Sequence, residues 1–529
     1  MSQSAQDTPP RKGLRWWPAA VILGLGAAAS TWVRAHKDWS FQQHTLGTLA
    51  VFLISFVLLF VWWCALSRTP RKLRLAGVAL VVGSVILAAA LFRVRGFSGD
   101  VLPILEPRWA TRPAFELPAQ IPAPSAPAEI PPALDFPQFL GPDRTAVLSD
   151  HPLEPDWLAN PPRVLWRQPV GAAWSGWAIV GRRAFTQEQR PEGECATSYD
   201  LSTGRLLWTH ADPARYQTAL AGEGPRCTPT VVSNRVFTLG ATGILNCLDA
   251  TDGKLLWTHN LVEDANSRVP EWGFAGSPLV FDGKVVVCAG GSPDRSLLAY
   301  GADTGGLEWS AGNQWISYSS PFLATLAGRR QILAFNSRAI SAHDAISGQV
   351  LWEYPWGIGQ PQVSVPVVVG PNRVLFSSAY GVGSILLEIT GLDTGLRAAP
   401  VWQSKKMKSK FATLVQRDGF LYGLDDGVLA CLDLKDGSQR WKEGRYGHGQ
   451  GLLVNDLLLL MDEGGELVLL QPAPDAPHEL HRFRVFHGKT WNPIALSGAL
   501  LLARTDQEAA CLQLPLANTA RSINAPQSQ

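Results

Sequence analysis

Two hydrophobic rhythms divide this chain near residue 96. Ahead of that point Trp16 to Val33, Leu46 to Leu66 and Leu75 to Leu91 are apolar runs with no charge inside them. Each is near the length a helix needs to cross a bilayer core of roughly 30 Å. A signal peptide has only one short apolar core, so it does not explain three runs. The pattern predicts three membrane-spanning helices within residues 1–96. Behind that point the apolar runs shorten and are broken by Gly, Asp and Pro, the rhythm of short strands joined by tight turns.

One phrase recurs through this second region. Asp200-Leu-Ser-Thr-Gly204-Arg-Leu-Leu-Trp208 returns as Asp249-Ala-Thr-Asp-Gly253-Lys-Leu-Leu-Trp257, and again in the stretches ending at Trp309, Trp352 and Trp441, with a damaged copy ending at Trp402. Asp can bond the backbone of a turn, Gly supplies its positive φ, and a strand carrying Trp leaves it. A period of roughly 40 to 50 residues marks stacked repeats, each a hairpin unit unable to bury its own faces. Trp166 opens the Trp series and Phe483 closes it, giving about eight units, as in propellers of four-stranded blades. Thr228-Pro229, Ser277-Pro278, Ser320-Pro321, Val365-Pro366 and Asn492-Pro493 each introduce a further short apolar strand. Residues 163–170 offer a Trp strand with nothing before it, and residues 489–513 offer three strands with no Trp strand after them. These complementary halves predict a closed ring, since a solenoid would need polar caps instead. The expected fold is an all-β, eight-bladed propeller of four-stranded antiparallel blades over residues 136–517, preceded by three transmembrane helices. Trp166, Trp208, Trp257, Trp309, Trp352, Trp402 and Trp441 are its docking residues.

Residues 97–135, rich in Pro and Ala, read as a semi-rigid spacer, and 518–529 as a disordered tail. Basic residues set the orientation: Arg11, Lys12 and Arg15 precede the first span, and Arg68, Arg71, Lys72 and Arg74 separate the second from the third. The positive-inside rule places those segments in the cytoplasm and the propeller on the far side.

The net charge of +2 comes with scattered basic residues, which argues against a nucleic-acid partner. The Lys405–Lys410 cluster reads as a solvated loop. Of the seven cysteines, Cys247, Cys431 and Cys511 occupy one slot in different blades and read as small buried hydrophobes. Cys195 and Cys227 read as loop residues able to form a disulfide in an oxidising compartment. No CxxC or CxxCH occurs, which removes thioredoxin-like chemistry and covalent c-type haem.

The phrase from Leu248 to Trp257 resembles the tryptophan-docking motif of the pyrroloquinoline quinone (PQQ) propellers. Phe136-Pro137-Gln138-Phe139-Leu140-Gly141-Pro142 resembles the opening segment of PQQ-like repeat proteins related to BamB, the outer-membrane assembly lipoprotein. The resemblance runs from Phe136 to the end of the chain. It implies a Gram-negative envelope setting, with the helices in the inner membrane, the propeller in the periplasm and envelope proteins as partners. In the quinoprotein dehydrogenases of this fold, an adjacent cysteine pair closes on the quinone, and Glu, Asn and Asp hold calcium. This chain has no Cys-Cys, and that ligand set falls on no segment of it. A membrane-bound glucose dehydrogenase branch does combine N-terminal spans with an eight-bladed ring.

Several polar and aromatic residues fall where blade-joining loops make the mouth of a propeller channel. Glu188, Arg226, Trp272, Tyr318 and Trp491 are the candidate cofactor-binding set: Arg can grip a carboxylate with two parallel bonds, and flat rings can stack on a planar acid. No catalytic residue or metal cluster stands out. The expected function is a non-catalytic envelope scaffold binding protein or ligand, with a PQQ- and calcium-dependent dehydrogenase acting on an alcohol or sugar as the alternative.

Overall fold

The computed structural model describes residues 13–36, 39, 41–110, 134–392 and 395–517. The chain forms two compact units, Met1–Arg112 and Pro113–Gln529.

In the first unit lie α1 (Trp17–Ala35), α2 (Phe41–Val61), whose end widens into a π-turn over Trp62–Leu66, and α3 (Arg71–Leu91). All three are long and apolar enough to cross a membrane. An antiparallel hairpin follows directly, Phe92–Phe97 pairing with Pro103–Pro107. The spacer expected from residue 97 is therefore partly structured: β-branched and aromatic residues ahead of Pro103 let the chain fold back through 110. The Pro-rich stretch at 117–124 and the tail at 518–529 lie outside the described residues.

The second unit is an eight-bladed propeller of antiparallel four-stranded blades. Blade 1 comprises Ala178–Val180, Arg183–Arg190, Gly193–Asp200 and Leu206–Asp212. Blade 8 is completed by the first propeller strand: Arg163–Pro169 pairs with Glu508–Gln513, setting Trp166 opposite Cys511. In blade 7 the Trp slot, the residue just before the strand's register shift, holds His481 opposite Leu469 and not the expected Phe483, which pairs with Leu467.

Why the phrase repeats is visible at each joint. Gly204, Gly253, Gly305, Gly348 and Gly437 adopt φ between 71° and 75°. A Cβ on any of them would meet the indole of the preceding blade's Trp at under 3 Å: Trp166, Trp208, Trp257, Trp309 and Trp402 in turn. At four of these joints the indole N–H then bonds a carbonyl of the next turn, as in Trp208 to Ala250 at 3.0 Å and Trp402 to Leu434 at 2.9 Å, whereas the Trp309 N–H has no partner. Asp200 anchors its turn by accepting from Ser202 and Thr203 backbone N–H groups.

The joint between blades 4 and 5 departs from this. The third and fourth strands of blade 5, Gly383–Leu392 and Gly395–Ser404, run on as a long hairpin, so no short Asp–Gly turn meets Trp352. Its N–H goes instead to Gln331 of its own blade, 2.7 Å away.

At the seam between blades 8 and 1 sits a buried ionic network. Glu188 accepts from Gly171 N–H at 2.7 Å, Arg190 Nε at 3.0 Å, Thr197 at 3.0 Å and Tyr199 at 2.5 Å. Arg504, from blade 8, donates to Gly171 O, Gln187 O and Thr186. Burial opposes ionisation of Glu188, but Arg190, Arg504 and its hydrogen bonds outweigh this and hold its pKa below the usual carboxylate range.

Residues 134–153 cross the hub. Phe136 pairs with Ile179 of blade 1, Pro137 O accepts from Val231 of blade 2, and Val147–Leu148 joins blade 7 as a parallel fifth strand. Arg144 lies between, fully buried, donating to Ser277 O at 3.0 Å and Pro278 O at 2.9 Å. Because strands alternate in direction, this plug lies at the end carrying the first-to-second strand turns. The blade-to-blade loops lie at the other end.

The described cysteines are all free thiols. Cys195 is mid-strand rather than in a loop, its Sγ pointing to Gly193 O, whereas Cys227 Sγ points to Gly276 O. The expected disulfide is absent because these side chains face different neighbours.

Candidate ligand-binding mouth

The segments entering the first strand of each blade converge at the end opposite the plug. Trp174 donates its indole N–H to Ala221 O, and Arg226 Nη2 donates to the same carbonyl at 3.2 Å and to Gly222 O at 3.0 Å. The Arg226 guanidinium lies over the Tyr216 ring, 4.7 Å from its centre. Trp272 stacks on Tyr318 with ring centres 4.9 Å apart. On the blade 8 side Trp491 lies against Trp174 at 4.8 Å and Phe411 at 5.0 Å, with Lys489 Nζ 3.7 Å above the Trp491 ring.

Of the candidate set, Arg226, Trp272 and Tyr318 are brought together, and Trp491 shares their rim through Trp174. Glu188 is not with them; it points into the seam. A carboxylate two residues from an Arg reads the same in sequence whether it awaits a ligand or closes a joint. Trp174, Tyr216 and Phe411 were missed, because single aromatics in irregular loops carry no periodic signal.

Arg226 Nε and Nη1 and Trp272 Nε1 are buried donors without an acceptor. Desolvation pulls the Arg226 pKa down to about 10, against attraction from Tyr216 and Glu194. Glu194 is engaged elsewhere, accepting from Ala241 N–H at 3.0 Å and Thr242 Oγ1 at 2.8 Å. Burial raises the Tyr318 phenol to about 12. Glu463 accepts from Trp491 Nε1 and His448 N–H. The rim thus has cations, flat rings and spare donors, while the carboxylates of Glu194 and Glu463 are already bonded.

The lysine cluster is not simply solvated. Lys408 pairs with Asp425 and Asp426, and buried Lys410 lies 5.1 Å over the Tyr380 ring, so the second half of the cluster, from Met407 on, turns inward.

Residues 191–443 match the family model described as "Outer membrane protein assembly factor BamB". Over that stretch the eight-bladed ring is similar to the PQQ-like repeat propellers. BamB of Burkholderia pseudomallei (strain K96243) is 23% identical over 274 residues, covering 44% of this chain and 70% of that protein. The dehydrogenase subunit of the quinone-type alcohol dehydrogenase of Komagataeibacter europaeus is 31% identical over 121 residues, 21% of this chain. The match spans only 16% of that protein's length. Among solved structures, the quinohemoprotein alcohol dehydrogenase of Comamonas testosteroni superposes with TM-score 0.51 at 12% identity, covering 74% of this chain and 82% of that one. At that identity the likeness is one of fold.

Among the described residues no group of three or more His, Cys, Asp or Glu side chains is placed to hold a metal, and the chain has no adjacent cysteine pair. At the mouth, Arg226 and the nearby rings are of a kind that could receive a planar acid.

Proposed function

We propose that this protein is an envelope scaffold: a propeller carried in the periplasm by three inner-membrane helices, binding a partner at its aromatic mouth without transforming it. The observation that carries this reading is the mismatch at the mouth. Buried donors on Arg226 and Trp272 lack acceptors, while Glu194 and Glu463 are already engaged and so are poorly available as acid or base. Such a surface favours a carboxylate or an acidic segment set among aromatic contacts. A partner among envelope proteins accords with the assembly-factor name of the BamB relatives. The basic residues flanking α1 and α3 support the orientation. Protease added to spheroplasts should cleave the propeller; protection while outward-facing controls are cut would reverse that topology.

The second reading, a PQQ-dependent dehydrogenase, draws on the 31% identical segment and on Arg226. Purified protein mixed with PQQ and Ca²⁺ would be followed by Trp fluorescence and by dye reduction with alcohols and sugars. Saturable quenching lost in Arg226→Ala, together with dye reduction, would replace the scaffold reading. The expected result is no turnover, with envelope crosslinks from a photoreactive group at the mouth that weaken in Arg226→Ala.

A further inference from the structure

The hairpin after α3 has two unlike faces. Phe92 pairs with Pro107 and Val94 with Leu105, so these four share one side; Arg93 and Glu106 pair on the other and form a 2.8 Å ion pair. The apolar side is bare: Phe92 is 39% exposed, Val94 56% and Leu105 59%, and the nearby Trp109 is 65% exposed. Trp109 lies beside Phe92, ring centres 6.3 Å apart. The hairpin is also held to the helix end. Arg108 N–H bonds Leu91 O at 2.8 Å, and its Nε bonds Ala89 O at 2.8 Å.

A two-stranded ribbon with one apolar face is marginal in water by itself. This one begins at the residue after Leu91, so it starts where a spanning helix leaves the hydrocarbon. Aromatic residues concentrate at that level, where an apolar ring meets lipid beside polar headgroups. An amphipathic element at this boundary sinks its apolar face about 5–10 Å into the headgroup and acyl region. We infer that the 92–109 hairpin is an interfacial anchor: Phe92, Val94, Leu105 and Trp109 lie in the membrane surface, with the Arg93–Glu106 pair facing water. The inference rests on α3 spanning the membrane.

The test uses the full chain with Cys64 replaced by Ala, reconstituted in vesicles of phosphatidylethanolamine and phosphatidylglycerol. Leu105→Cys, Trp109→Cys, Arg93→Cys and Leu53→Cys would each carry an environment-sensitive fluorophore. Shallow nitroxide lipids should quench positions 105 and 109 at least about twofold more than position 93, which aqueous iodide should quench instead. Deep nitroxides should quench position 53 in α2. If 105 and 109 are as open to iodide as 93 while 53 responds to deep nitroxide, the spans stand and the anchor fails. If 105 and 109 escape both quenchers, protein covers the face and the anchor fails. If 53 also ignores lipid quenchers, the membrane reading itself falls, and the anchor with it.

Discussion

Two joints of the ring are built to opposite standards. Where blade 8 meets blade 1, Trp166 docks beneath Gly204, the Arg163–Pro169 strand crosses over to complete the sheet, and Glu188, Arg190, Tyr199 and Arg504 form a buried network. Where blade 4 meets blade 5 the glycine turn is missing, and Trp352 settles for Gln331. The chain runs directly from blade 4 into blade 5, which keeps them neighbours without help. At the seam the chain also runs on, from Arg163–Pro169 into blade 1, but the other three strands of blade 8 are held there only by non-covalent contacts between residues more than 300 positions apart. Non-repeating chemistry is placed where the repeat alone cannot hold the ring together.

Removing the centre of the seam should have the largest effect. Glu188→Leu leaves two buried guanidiniums without their shared carboxylate and should cost about 5 kcal/mol, since breaking a buried ion pair is worth about 3–5. Denaturant unfolding followed by Trp fluorescence reads this; a loss below about 1 kcal/mol would mean that the completed sheet alone holds the seam. Trp208→Ala, at an ordinary joint, should cost about 3–4 kcal/mol, as buried aromatic truncations do. Gly253→Ala should cost about 2 kcal/mol, from the left-handed φ and from a Cβ that meets Trp208. Gln331→Leu, at the weak joint, should cost only about 1–2 kcal/mol by leaving the Trp352 N–H without a partner. Equal losses for Gln331→Leu and Glu188→Leu would erase the contrast.

Acid gives the mildest test. Asp344 is pulled upward by desolvation, but the Ser347 and Ile346 N–H groups, Arg329 and the Ser347 hydroxyl outweigh this and bring it down to about 2. The unfolded chain binds that proton at higher pH than the folded ring. The carboxylate's stabilisation is therefore full above about pH 4 and is lost as pH falls through about 2. Asp344→Asn should flatten the stability profile in that window, lowering stability at neutral pH while changing little below about pH 2.

What was legible in the sequence follows the same division. The Asp–Gly–Trp phrase is local, so the blade count, the docking partners and the closing strand could be read from spacing. The Glu188 network, the plug over residues 134–153 and the sharing of Ala221 O by Trp174 and Arg226 depend on residues far apart in the chain, and no periodicity announces them. The hairpin at 92–107 was hidden because its few residues lie between a helix and a Pro-rich stretch. At the mouth, Arg226, Trp272 and Tyr318 were found by placing them ahead of first strands. Glu188, one strand further on, faces the seam.

The plug also orders the protein's birth. His151 O receives its bond from Asn455, 304 positions later, and Leu153 pairs with Leu516. The hub segment is made before any blade, yet one of its partners, Leu516, follows the final blade strand out of the ribosome. Contacts of such long sequence separation slow folding, and unpaired strand edges stay exposed meanwhile. Assembly of this ring therefore begins and ends with the same few residues, and a nascent chain halted before residue 516 still lacks the partner of Leu153.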